Sequence, residues 1–103
     1  MKHDVIDHRS LALHEAMAEK LRHDPELIQA ARATAQRWLS RPGYENHPAL
    51  REWLSLLDLP LLSLIKVMLD PSEEGARLRQ SSPFVGILTE EERLAIFAKY
   101  AQG

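Results

Sequence analysis

The chain of 103 residues contains no cysteine. That excludes a disulfide-stapled scaffold, a thiol nucleophile and a zinc site built on thiolates. Its four glycines, Gly43, Gly75, Gly86 and Gly103, stand far apart. Dinucleotide fingerprints and phosphate-cradling loops need glycines clustered within one turn, so neither can form here. Long hydrophobic runs are also missing. The most apolar stretch, Trp53 to Leu69, is interrupted by Asp58, Pro60 and Lys66, and its apolar pieces fall well short of the roughly 20 residues that span a bilayer. No apolar segment of signal-peptide length follows the polar residues at the start, which points to a cytoplasmic protein with no membrane partner. Nor is there an excess of one charge. Thirteen Lys and Arg face 15 Asp and Glu, a formal net charge of −2, which excludes a strongly basic nucleic-acid coat.

Strand formers are scarce: three Val, five Ile and two Thr against 17 Leu and 12 Ala. Straight or small side chains lose little rotamer freedom on a helix, so the balance favours helix. Proline agrees, because it fits the first turn of a helix, where its missing N–H would be unpaired anyway. Asp24-Pro25, His47-Pro48 and Asp70-Pro71 read as such starts, with Asp24 and Asp70 as candidate caps.

The spacing predicts a first helix over Ser10 to Arg22, with Leu13, Met17 and Leu21 four apart. A second runs from Pro25 to Ser40 and is stopped by Arg41-Pro42-Gly43. A third covers Pro48 to Leu57, with Leu50, Trp53, Leu54 and Leu57 on one face. The fourth, Pro60 to Leu69, is apolar nearly all round and belongs at the centre of a bundle or in a partner interface. A short polar element spans Pro71 to Gln80. Thr89 opens the last helix, with Glu92 at capping-box spacing and Leu94, Phe97 and Ala101 facing inward. The expected fold is therefore all-α: one domain over residues 1–103, a compact bundle of five to six short helices, with 1–8 flexible and 81–88 an ordered loop.

Catalytic chemistry is hard to find. No two of His3, His8, His14, His23 and His47 have metal-ligand spacing on one predicted helix, and the zincin-like start His14-Glu15 is followed by Ala18 where a histidine is needed. The histidines read as solvated groups near helix ends. Glu90, Glu91 and Glu92 sit at a helix start, where they complement the positive end of its dipole. Ser81 and Ser82 have no neighbouring base in the sequence to activate them. The expectation is a protein that is not an enzyme and holds no metal or cofactor.

Two segments carry binding potential. From Arg32 to Arg51 four arginines face Glu45 alone, with Trp38, Tyr44 and Trp53 interleaved. That composition suits nucleic-acid phosphates and bases, a protein-interface hot spot, or a helix corner whose arginines pair with Glu26, Glu45 or Glu52. From Glu73 to Leu88 come two acids, then Arg77, Arg79, Gln80, Ser81 and Ser82, then Phe84, Val85, Ile87 and Leu88. The last four are not helical in spacing and must dock on the bundle or on a partner, with Arg77 and Arg79 offering forked donors.

The stretches RSLALHEAMAEKLRHDPEL (Arg9 to Leu27) and LRQSSPFVGILTEEER (Leu78 to Arg93) resemble segments of small bacterial helical proteins that act as antitoxin-like partners in two-gene toxin–antitoxin modules. They cover about a third of the chain. The resemblance implies a non-catalytic protein-binding module that neutralises a cognate toxin by direct contact. The residues expected to make that contact are Arg77, Arg79, Ser82 and Phe84, then Trp38 and Arg41. A small DNA- or RNA-binding regulator is the alternative, although no basic arm and no basic recognition helix is present. The apolar fourth helix also leaves room for a homodimer.

Overall fold

The computed structural model describes residues 2–101, with side chains described over 8–99. Among them are six α-helices, one 3-10 segment and no strand. In chain order these are α1 (Lys2–His23), α2 (Leu27–Leu39), α3 (Pro48–Leu56), α4 (Leu61–Met68), α5 (Glu73–Arg79), the 3-10 segment (Pro83–Ile87) and α6 (Glu90–Ala101). The all-α expectation holds.

Several boundaries differ from the sequence reading. Helix α1 begins at Lys2, eight residues before the expected start at Ser10. Nothing between Lys2 and Ser10 breaks a helix, since the stretch lacks both glycine and proline. Asp24 does not cap α2. The chain there passes through a tight turn, in which the N–H groups of Leu27, Ile28 and Gln29 bond three residues back to Asp24, Pro25 and Glu26. Asp70 is not the cap of α5 either. The Ser72 hydroxyl accepts from the Gly75 N–H at 3.3 Å, and Asp70 Oδ1 accepts from the Ser72 N–H at 2.9 Å. Two starts do match. Pro48 opens α3, and Thr89 and Glu92 form the reciprocal capping box, at 2.7 Å from the Thr89 N–H and 3.1 Å from the Glu92 N–H. The expected loop over 81–88 contains the 3-10 segment, capped by Ser82 with Pro83 in its first turn.

Helix α1 is the spine. It packs against α2, α4, α5, α6 and the 3-10 segment. Its buried residues, His14, Met17, Ala18 and Leu21, recur at the three- and four-residue steps of one helix face. Across from them lie Trp53 and Leu57 of α3, Leu64, Ile65 and Met68 of α4, and Phe84 and Ile87 of the 3-10 segment. Trp53 and Phe84 are wholly enclosed. The Cα radius of gyration of 13.5 Å matches one domain of this length, about 13 Å.

Helix α4 is covered on one face only, with Leu62 70% exposed, so it does not lie at the centre of the bundle. Leu94 is also exposed instead of facing inward. Helix α6 packs chiefly on α1, which covers a narrow stripe; Ile96 reaches the core, and Phe97 lies under the guanidinium groups of Arg9 and Arg93 at 5.1 and 5.9 Å. The side chain of Ala101 lies outside the described residues.

Gly75 marks the closest backbone approach. A Cβ there would overlap the carbonyl group of Asp70, whose oxygen also accepts from Arg79. At Gly86 the corresponding space is open. Gly75→Ala should therefore lower stability in urea unfolding by about 3 kcal/mol or more, whereas Gly86→Ala should stay within about 0.5 kcal/mol of the parent.

Candidate binding cleft

Of the six residues singled out for contact, three are inside. Arg79 is 5% exposed, Ser82 5% and Phe84 0%. In this fold they offer no contact surface. Arg79 is held by the Asp70 carbonyl, and Phe84 packs edge-on against Trp53, with ring centroids 5.3 Å apart. Arg77 is at the surface but already engaged by Glu74 and, at 2.7 Å, by Glu52. Pairing with two carboxylates pushes its pKa further up.

Ser82 is bonded to a residue far away in the chain. Its Oγ lies 2.7 Å from His14 Nε2, and His14 Nδ1 lies 2.9 Å from the Met68 carbonyl. A carbonyl can only accept, so Nδ1 carries the proton. Nε2 is then an acceptor, and the Ser82 hydroxyl donates to it. The same Oγ accepts from the Phe84 N–H at 3.2 Å. His14 is thus a buried, neutral and fully bonded histidine, not a solvated one. Desolvation lowers its pKa from 6.5 to about 4; the Met68 bond opposes this, and nearby Arg79 adds to it. The pair resembles a serine nucleophile with its base, a carbonyl standing where an orienting carboxylate would be. What it lacks is room for a substrate, since both residues are buried. Its geometry serves to join α1, α4 and the 3-10 segment.

The surviving candidates, Trp38 and Arg41, meet at a cleft of about 240 Å³. Trp38 comes from the last turn of α2. Arg41, Tyr44 and His47 come from the connection to α3, and Leu50 from α3 itself. Gln80 and Ser81, just after α5, form the opposite wall. The cleft therefore joins the two segments that the sequence singled out separately. Tyr44, Gln80 and Ser81 had drawn notice only as members of those segments; His47 had drawn none for binding.

The connection is rigid for local reasons. Arg41, Tyr44 and His47 N–H groups bond in succession to the carbonyls of Trp38, Arg41 and Tyr44, at 3.1, 3.0 and 3.0 Å. Gly43 supplies the positive φ of 90° that this path needs. The Leu50 N–H donates to His47 Nδ1 at 3.4 Å, which caps α3. Tyr44 stacks on the His47 ring, centroids 6.0 Å apart and planes 18° from parallel.

A larger groove of about 570 Å³ lies between α1, α2 and α6, floored by Ala16, Leu27 and Ile87. Its main charged groups are already matched. Lys20 Nζ donates to Glu92 at 2.8 Å and to the Ile87 carbonyl at 2.9 Å, and Glu19 pairs with Arg22. Glu92 is held at a pKa of about 2, first by Lys20 and then by the Thr89 N–H. The smaller cleft differs. Among the described residues neither Arg37 nor Arg41 has a carboxylate partner, and no acid lines the cleft. No group of acids and histidines suited to a metal ion occurs among the described residues, and no described helix is long and apolar enough to cross a membrane.

The buried histidine makes stability depend on pH. Its pKa is lower folded than unfolded, so its contribution is complete above 6.5 and declines as pH falls toward 4. Protonation would cost about 3 kcal/mol over that interval. Glu92 and Asp70 have depressed pKa values, so their losses begin only in the ordinary carboxylate range and below. Urea midpoints between pH 7 and pH 5 should therefore fall in the parent. Ser82→Ala should cost about 1–3 kcal/mol at neutral pH, because it strips a buried acceptor and the Phe84 N–H of their partner.

Comparison with protein-family models, with curated proteins and with solved structures finds no match to this chain.

Proposed function

We propose that the protein is a non-catalytic protein-binding module of antitoxin type, and that it holds its partner at the cleft between the α2–α3 connection and the end of α5. The observation that carries this reading is the convergence of the two segments: Trp38 and Arg41 on one wall, Gln80 and Ser81 on the other. Tyr44, 45% exposed, stands at the same place. Tryptophan, tyrosine and arginine are the residues most enriched at interface hot spots. The volume supports a protein partner over a small molecule. At about 240 Å³ the cleft is below the range of roughly 300–1,000 Å³ usual for small-molecule and cofactor sites. It suits one or two side chains projecting from another protein.

Neutralising a toxin in this way needs no turnover. A standard interface of roughly 1,600 Å² with a few anchors suffices to cover a partner's working surface. The buried Arg79, Ser82 and Phe84 then act indirectly, by fixing the wall on which Gln80 and Ser81 stand.

Co-expression with the product of the adjacent gene tests the reading. A stable complex is expected, together with rescue of growth if that product is toxic. Tyr44→Ala should weaken the complex by about 2 kcal/mol, a factor near thirty in Kd, with the unfolding midpoint unchanged, since the ring is half in solvent. No complex, or one indifferent to both Tyr44→Ala and Trp38→Phe, would dispose of it.

A further inference from the structure

Resting on that reading, we infer that the partner inserts an acidic side chain, an aspartate or glutamate carried in an apolar segment, into the cleft, where its carboxylate is held by Arg41 and His47. The inference comes from counting hydrogen-bonding roles. Because His47 Nδ1 accepts from the Leu50 N–H, a neutral His47 must carry its proton on Nε2. The ring therefore presents a donor wherever it is not capping α3. Arg41 has five guanidinium N–H donors and, among the described residues, no acceptor partner. Gln80 and Ser81 can each donate or accept. The lining thus holds three side chains that offer only donors, Arg41, His47 and the Trp38 indole N–H, and none restricted to accepting; Tyr44, like Gln80 and Ser81, can do either. A ligand that only accepts, and accepts strongly, complements such a lining, and a carboxylate is the side chain of that kind.

The remaining lining gives the context of the carboxylate. Trp38 and Leu50 are apolar walls, half-buried and buried respectively. A strongly charged peptide with no apolar residues would leave the half-buried Trp38 ring in water, so the acid is expected beside a leucine-like neighbour.

Phosphate would also match the donors, but a nucleic acid fits the rest of the surface poorly. Affinity for a duplex grows with the number of phosphates neutralised, with proteins making roughly 6–10 such contacts. Here the net charge is −2, and Arg32, Arg77, Lys20 and Arg22 are occupied by acids of the chain itself. At this corner Arg37 and Arg41 have no carboxylate partner among the described residues and Arg51 donates to the Glu45 carbonyl, while Arg9 and Arg93 lie over Phe97 on α1 and α6; so small a local group of guanidinium donors suits one carboxylate better than a phosphate backbone.

The test uses the full chain with a ¹⁵N label. The probe is a short peptide of alternating glutamate and leucine, acetylated and amidated so that its side chains supply the only carboxylates. The Trp38 indole N–H signal, assigned with Trp38→Phe, is expected to shift on titration, while that of the enclosed Trp53 stays in place. Arg41→Glu should weaken binding by about tenfold or more and Arg41→Lys by less, because a point charge replaces a fork. A glutamine–leucine peptide should not bind. Equal binding of the glutamine peptide, or no shift with the glutamate peptide, overturns the inference, as does tighter binding of a single-stranded oligonucleotide. Co-purification with the adjacent gene's product separates the two failures. A complex lost in Tyr44→Ala but kept in Arg41→Glu leaves the binding reading standing and removes the carboxylate; a complex kept in both removes the cleft altogether.

Discussion

A single neutral imidazole holds together parts of the chain that are far apart in sequence. His14 receives the Ser82 hydroxyl on one nitrogen and donates to the Met68 carbonyl from the other. Those contacts bridge 68 and 54 residues. Around it Trp53 and Phe84 stand at 6.0 and 5.7 Å between ring centroids. Trp53 in turn donates its indole N–H to the Leu78 carbonyl at 2.8 Å. Five elements therefore meet at one polar-aromatic knot. Short helices have little stability of their own, and α3, α4 and α5 are each nine residues or fewer. They persist because tertiary packing fixes them. A hydrocarbon at position 14 could fill the space, but it could not select which carbonyl and which hydroxyl lie opposite. Direction is what the imidazole adds.

The knot also explains why the cleft can be open yet firm. Its far wall, Gln80 and Ser81, lies between two buried anchors, Arg79 and Ser82. Arg79 is tied to Asp70, beside the tight approach of Gly75. The near wall is fixed by three successive backbone bonds and by His47, which caps α3. Neither wall would need the proposed partner in order to form, so little ordering entropy would be lost on binding.

Most of the fold was legible from local signals. The Leu and Ala excess, the prolines and the Thr89–Glu92 pair act within a few residues, and helices are local structures. The site was legible only in part. Arg77, Arg79, Ser82 and Phe84 stood out because no helical pattern accounted for them, and they were expected to touch a partner; of the apolar run expected to dock, Phe84, Ile87 and Leu88 pack on the bundle and Val85 is exposed. The sequence could not show that Arg79, Ser82 and Phe84 turn inward while Arg77 stays at the surface, since the place of Ser82 depends on His14, 68 residues away. One signal was available. His14 occupies the same helical stripe as Met17, Ala18 and Leu21, a position where a histidine must find a buried partner. Leu94 was misplaced for a related reason. An amphipathic pattern tells which face of a helix is apolar but not how much of that face a neighbour covers.

Charge distribution decides how the cleft can work. Exposed ion pairs contribute little to stability, about 0–1 kcal/mol each, so the pairs Arg32–Asp58, Arg77–Glu52 and Lys20–Glu92 are not what keeps the protein folded. Their effect, with that of Arg22–Glu19, is to neutralise four of the surface cations, Lys20, Arg22, Arg32 and Arg77, while Arg37, Arg41 and Arg51 keep their charge near one corner. The net charge of −2 gives no long-range attraction for an acidic partner. At physiological salt, however, fields fade over about 8 Å. At contact, therefore, the donors of the cleft outweigh the more distant acids. Recognition of the proposed partner would then be a matter of fit at close range and not of steering. The cleft would discriminate through the lifetime of the complex, by whether an acceptor reaches Arg41 and His47, more than through the rate at which partners arrive.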